Sequence, residues 1–140
     1  MKQQGFTLTE VMITMVVIAI LGAIAMPSYS SHMKKSARQQ ARELLLQAAV
    51  RQETQRMRTG SYAASMSALG YDGDTVAVGS GRYNVTVSAS TANSFTLSAA
   101  PTSVGGQDGD PCGTFTVNHL GERGIATSAT PAPTATACWN

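Results

Sequence analysis

Apolar positions change their spacing twice along this chain, and each change marks a different element. Positions 11–26, VMITMVVIAILGAIAM, are uncharged and apolar on all sides. With positions 6–10 in front, a helix here covers roughly 31 Å at about 1.5 Å rise per residue, close to the hydrocarbon thickness of a bilayer. From about position 30 to position 59 the apolar residues thin to one face. Ala37, Ala41, Leu44, Leu45 and Ala48 recur at helical spacing, while Lys34, Lys35, Arg38, Arg42 and Arg51 fall mostly elsewhere. Gly60 is a C-terminal cap for that helix. Joined, the two stretches make one helix of roughly 80 Å. A head built from the remaining residues cannot cover such a length, so half of it has to lie in lipid or against copies of itself.

Beyond Gly60 the period becomes two. Tyr83, Val85 and Val87 alternate with Asn84, Thr86 and Ser88, and Phe95, Leu97 and Ala99 alternate with Thr96 and Ser98. The short connection at 89–94 predicts an antiparallel hairpin. Phe115 and Val117 lie on a third strand ended by Gly121, and 75–78 is a short edge. Tyr62, Met66, Leu69 and Tyr71 are packing anchors in the loop between helix and sheet. The expected fold class is α+β, with an antiparallel sheet of three or four strands whose apolar face covers Ala37, Leu44 and Ala48.

Charge adds an asymmetry. Through Thr59 there are eight Lys and Arg against three Glu; from Gly60 onward, two Arg face four Asp and one Glu. The basic surplus belongs to 34–58, and a broadly basic nucleic-acid-binding domain is not indicated. Cys112 and Cys138, with only the scattered His32 and His119 beside them, do not make a zinc site and are read as a disulfide, which places the C-terminal half in an oxidising compartment. Such a bridge would tie down the Thr/Ala/Pro-rich tail at 126–137, contributing about 3 to 4 kcal/mol in the chain-entropy model. Two Asp-Gly-Asp triplets, at 72–74 and 108–110, are turn chemistry; neither continues into a calcium loop. There is no G-x-S-x-G, paired-His or phosphate-loop pattern, so no catalytic residue, metal or cofactor is expected and the chain is not read as an enzyme.

The front of the chain is the most specific segment. Gly5-Phe6-Thr7-Leu8-Thr9-Glu10, after a short basic leader and before the apolar run with Pro27 near its end, closely resembles the precursor of a type IV pilin of the short-leader kind. The resemblance implies that a prepilin peptidase cuts between Gly5 and Phe6 and methylates the new amine of Phe6. Residues 1–5 are then a leader, 6–29 a membrane and filament-core helix, 30–59 an amphipathic helix, and 60–140 a head. An acid inside hydrocarbon is costly and marks a function by default. In the family the acid at the place of Glu10 pairs with the N-terminal amine of a neighbouring subunit; the competing reading is a capping box, Thr7-x-x-Glu10. Thr14 is read as a hydroxyl bonded back to its own helix. Gly22 and Pro27 mark a weak, kinkable stretch.

Cys112-Gly113-Thr114 and Cys138-Trp139 resemble the disulfide-bounded region of type IVa, PilE-like pilins, major or minor. The implied partners are further copies, other pilins, the peptidase, an inner-membrane assembly platform and lipid. The implied location is first the inner membrane and then an extracellular pilus used for adhesion, twitching motility or DNA uptake.

Three alternatives stand beside this. A secretion-system pseudopilin shares the N-terminal motif but commonly lacks the bridge and binds calcium. A secreted soluble protein would have its signal peptide cut near Ala23-Ile24-Ala25. A DNA-uptake receptor needs a basic stripe on the head, where only Arg82 and Arg123 follow Gly60, and nucleic acid is therefore not an expected partner. Against the pilin reading, Lys34, Lys35, Arg38 and Arg42 follow the apolar run while only Lys2 precedes it, and the positive-inside rule would put the head in the cytoplasm.

Overall fold

The computed structural model describes residues 6–140, with the side chains of 25–28 set aside. The chain divides into two compact units, Met1–Met33 and Lys34–Asn140. One helix, α1 (Leu8–Thr59), contributes to both. It ends as the sequence predicts: Gly60 takes φ +82°, and its N–H donates to the Arg56 carbonyl at 2.8 Å.

In the second unit, α1 supplies the stripe Ala37, Ala41, Leu45 and Ala48, all buried, with Leu44 half-buried at its side. Gln52 continues the stripe and is also fully buried. Its amide satisfies both backbone groups of Ala63, accepting from the N–H at 2.8 Å and donating to the carbonyl at 2.9 Å. The connecting loop thus docks on α1 through a polar side chain. Tyr62, Met66 and Leu69 are buried beside it, and Tyr71 is half-buried.

The sheet has five antiparallel strands, one more than the upper expectation, in the order β1 (Val76–Val78), β2 (Tyr83–Ser90), β3 (Phe95–Pro101), β4 (Thr114–Asn118) and β5 (Arg123–Ala126). The register sets Val85 opposite Ala99, Leu97 opposite Val117, and Ala99 opposite Phe115, so the apolar residues of neighbouring strands share one buried face. The additional strand is β5. Its sequence Arg-Gly-Ile-Ala lacks alternation, and its pairing with β4 is decided across the strands by the register Phe115 to Ile125.

The β1–β2 turn lies so close to α1 that a Cβ on Gly79 would come within 2.7 Å of the Ala37 Cβ, and at φ +62° a side chain is disfavoured in any case. The Gly79 N–H donates to Gln40 Oε1 at 3.2 Å and fixes that approach.

A last short helix, α2 (Ala135–Trp139), is capped by Thr134, whose hydroxyl accepts from the Ala137 N–H. The Trp139 indole N–H donates to the Gly124 carbonyl of β5 at 3.0 Å, and its ring stands edge-on to Phe115 at 5.5 Å. Trp139, just beyond the tail at 126–137, thus packs against the outer edge of the sheet.

Candidate functional site

In the first unit every large apolar side chain between positions 6 and 24 is at least 46% exposed. An 18-residue window of α1 reaches a mean hydropathy of 2.3, long and apolar enough to cross a membrane. Glu10 lies in its first turn. The Thr7 hydroxyl accepts from the Glu10 N–H at 3.3 Å, which is one half of a capping box. The other half would run from the Glu10 carboxylate to the N–H of Thr7, and it is not formed: among the described residues that carboxylate has neither hydrogen bond nor ion pair. Thr14 donates to the Val11 carbonyl at 2.8 Å, as its place in an apolar helix requires. A Cβ on Gly22 would meet nothing within 4 Å. Gly5 and the side chain of Pro27 lie outside the described residues, and with them the cut site and the kink.

In the head the polar chemistry gathers around one buried carboxylate. Asp110 Oδ2 accepts from Arg38 Nε at 2.5 Å, from Gln107 Nε2 at 2.6 Å and from the Tyr83 hydroxyl at 3.3 Å, while Oδ1 accepts from the Cys112 N–H at 2.9 Å. Burial pushes the Tyr83 phenol up to about 12, so it is a donor at neutral pH. Two residues further on is the bridge Cys112–Cys138. One turn of α1 from Arg38, Arg42 donates to the carbonyls of Cys138 at 3.1 Å and Asn140 at 2.9 Å.

Helix, sheet and disulfide-closed segment thus meet at two arginines, and the triplet at 108–110 is a structural lock and not merely a turn. The triplet at 72–74 is local: Asp74 accepts from the Ser67 hydroxyl, and Ser67 with Ser65 holds its carboxyl below the ordinary range. Changing Cys112 to Ser should cost about 2 to 5 kcal/mol and open the 126–137 segment to protease. A head with unchanged melting temperature and protease resistance under reducing conditions would remove the bridge from the energetics.

The basic residues are distributed differently from their sequence count. Arg82 donates to the carbonyls of Val104 and Gly105, and Arg123 lies over the Trp139 ring, so both late arginines have structural partners. Arg51 lies 4.1 Å over the Tyr71 ring, Arg56 lies 4.9 Å over Tyr62, and Arg58 is exposed beyond them. Arg51 and Arg58 line a cleft of about 330 Å³ with Thr54, Gln55, Leu69 and Gly70. The count of head cations from Gly60 onward missed these three, because α1 carries them onto the head. On α1, Leu46, Val50 and Met57 are 37%, 68% and 80% exposed, and Leu46 and Val50 border a groove with Phe95 and Val117 of the sheet.

Residues 27–116, well over half of the chain, match the family described as type IV minor pilin ComP, DNA uptake sequence receptor. The chain belongs to the type IV pilins. Residues 1–26 of this pilin match the prokaryotic N-terminal methylation motif. Its fold is shared with the non-core minor pilin PilV of Neisseria meningitidis, at a TM-score of 0.55 and 25% identity over 74% of this chain and 96% of that one. Two curated relatives are similar over a short stretch. The fimbrial protein EcpB of Eikenella corrodens is 57% identical over 35 residues, 25% of this chain and 22% of that protein. The prepilin peptidase-dependent protein D of Escherichia coli K12 is 50% identical over 36 residues, 26% of this chain and 25% of that protein. The pilin thus spans about a quarter of each.

Proposed function

We propose that this pilin is a minor subunit of a type IV pilus, cut between Gly5 and Phe6, methylated on Phe6, held in the inner membrane by residues 6–29 and then packed by the same helix into an extracellular filament. The observation that carries this is the bare apolar helix of the first unit, with one acid and no partner among the described residues. An uncovered surface of that kind demands lipid or other helices. Glu10, whose carboxylate has no partner among the described residues, is proposed to take the N-terminal amine of a neighbouring subunit. In the second unit, Leu46, Val50 and Met57 are further exposed apolar residues of α1 available to neighbouring subunits. The Cys112–Cys138 bridge supports a pilus pilin over a pseudopilin, and the methylation-motif match supports a short leader over a longer signal peptide.

The test is the protein in sheared pilus fractions. Its intact mass should equal the chain less residues 1–5 plus one methyl group, and it should co-purify with the bulk pilin. A mature form beginning after position 25, found in the soluble fraction, would overturn the reading.

A second use, DNA uptake, is favoured by the family match and runs against the expectation drawn from the late arginines. The cation proposed to meet DNA is Arg58, exposed on α1 beside Arg51 and Arg56, which are themselves held on the Leu69 and Gly70 carbonyls and on the Tyr62 hydroxyl. If a phosphate is held at Arg58, Arg58→Gln should weaken duplex binding for all sequences and flatten the dependence of log K on log salt by about 1. An unchanged slope would remove Arg58 from the DNA face.

A further inference from the structure

Four bases follow the apolar run, and the fold divides them into two kinds. Arg38 is held on Asp110, and Arg42 is held on the Cys138 and Asn140 carbonyls. Lys34 and Lys35 form the other kind. Among the described residues neither amine makes an ion pair or a hydrogen bond; Lys35 is exposed, and Lys34 is half-buried with its Nζ 3.6 Å from where a Cβ on Gly106 would lie. No Asp or Glu occurs between Glu10 and Glu43, so the stretch around the two lysines has no acid of its own to neutralise them. Lys34 stands eight residues after Met26, where the apolar run ends. Helical side chains lean toward the N-terminus, and a lysine stem extends along apolar surroundings while its amine stays in the polar layer.

We infer that Lys34 and Lys35 form a headgroup-binding pair whose amines take the phosphates of anionic phospholipids on the head side of the bilayer, holding the unassembled subunit at the membrane surface. This rests on the reading of residues 6–29 as a membrane segment. It also accounts for the surplus of bases that contradicts the orientation rule: two of the four are folding residues and the other two are lipid ligands. Each contact changes occupancy only about fivefold, the equivalent of roughly 1 kcal/mol per lysine. Two such contacts are reversible, as a subunit that must leave the bilayer requires.

The full chain is reconstituted in phosphatidylcholine vesicles with and without about a third of phosphatidylglycerol, a composition chosen to give a negative surface. Carbonate extraction scores insertion, and spin-labelled lipids score the preference of the lipid shell for the anionic headgroup. The wild type should show that preference, and a K34Q/K35Q double variant should lose most of it, by about fivefold per lysine, while remaining carbonate-resistant. Arg58→Gln removes the same kind of charge from the far end of α1 and should leave the preference intact. An unchanged preference in K34Q/K35Q overturns the inference. So does loss of duplex DNA binding with the lipid preference preserved, which would assign the pair to a nucleic-acid face. Release of the wild-type chain by carbonate overturns the membrane reading itself, and the inference with it, and is read separately from headgroup preference.

Discussion

Glu10→Leu protein is expected to be cut and to stay in the membrane, yet to be nearly absent from sheared filaments. The substitution removes the only charged side chain between positions 6 and 26, so insertion should become more favourable. The gain is smaller than the value of about 2.5 to 3.5 kcal/mol for an acid at the helix centre, because Glu10 lies in the first turn. The bond between Gly5 and Phe6 is untouched, and leader removal should continue. Helix initiation should also survive, because the bond at the start of α1 runs from the backbone N–H of Glu10 to the Thr7 hydroxyl and the carboxylate contributes none of it.

What is lost is the acid for a neighbour's N-terminal amine. Breaking a buried charge pair by removing one partner costs about 3 to 5 kcal/mol, so incorporation should fall by about two orders of magnitude or more. Thr7→Ala provides the contrast. It deletes the cap at a cost of about 1 kcal/mol and leaves Glu10 in place, so its effect on incorporation should be far smaller. Recovery of Glu10→Leu from filaments at the wild-type level, with Thr7→Ala impaired, would reverse the two roles. Co-purification with the bulk pilin is the measure for a minor subunit, since copies per filament are few.

The second large effect belongs to Asp110. Asp110→Ala leaves a guanidinium, a phenol, an amide and a backbone N–H facing a site from which water is excluded. Stranding one member of a buried ion pair costs about 3 to 5 kcal/mol. For a head of this size that corresponds to a melting temperature lower by about 15 °C or more. The same carboxylate caps Cys112, so protease sensitivity of the 126–137 segment should rise together with the loss of melting temperature.

Arg38→Met alone should be milder, because Asp110 keeps Gln107, Tyr83 and the Cys112 N–H. Arg38→Met combined with Asp110→Leu removes both charges and should recover part of the loss. A melting temperature for Asp110→Ala within about 2 °C of wild type would show that the cluster contributes little beyond its packing.

The elements with strong periodicity were legible in the chain because each is decided by its own residues. The uncharged run and Glu10, the helical stripe from Ala37 to Ala48, the alternation in β2 and β3, and the two cysteines all report local burial or local chemistry. The family resemblance could accordingly be drawn from the first residues alone.

The features that escaped sequence reading are those whose partners are remote. Strand β5 has no alternation and exists through its register with β4. Gln52 lies in an apolar stripe and is buried because the Ala63 backbone meets both ends of its amide. Asp110 has the sequence of a turn residue and becomes the centre of the head because α1 brings Arg38 to it across 72 positions. The arginines at 51, 56 and 58 count as helix charges along the sequence and as head charges in space. Hydrophobic period and short motifs thus settled the long helix, the strands that alternate and the membrane-compatible run, but not β5. Only the tertiary structure decided which polar residues are spent on folding and which have no partner among the described residues, because a buried polar group is satisfied by whatever the fold brings to it and sequence distance does not limit that partner.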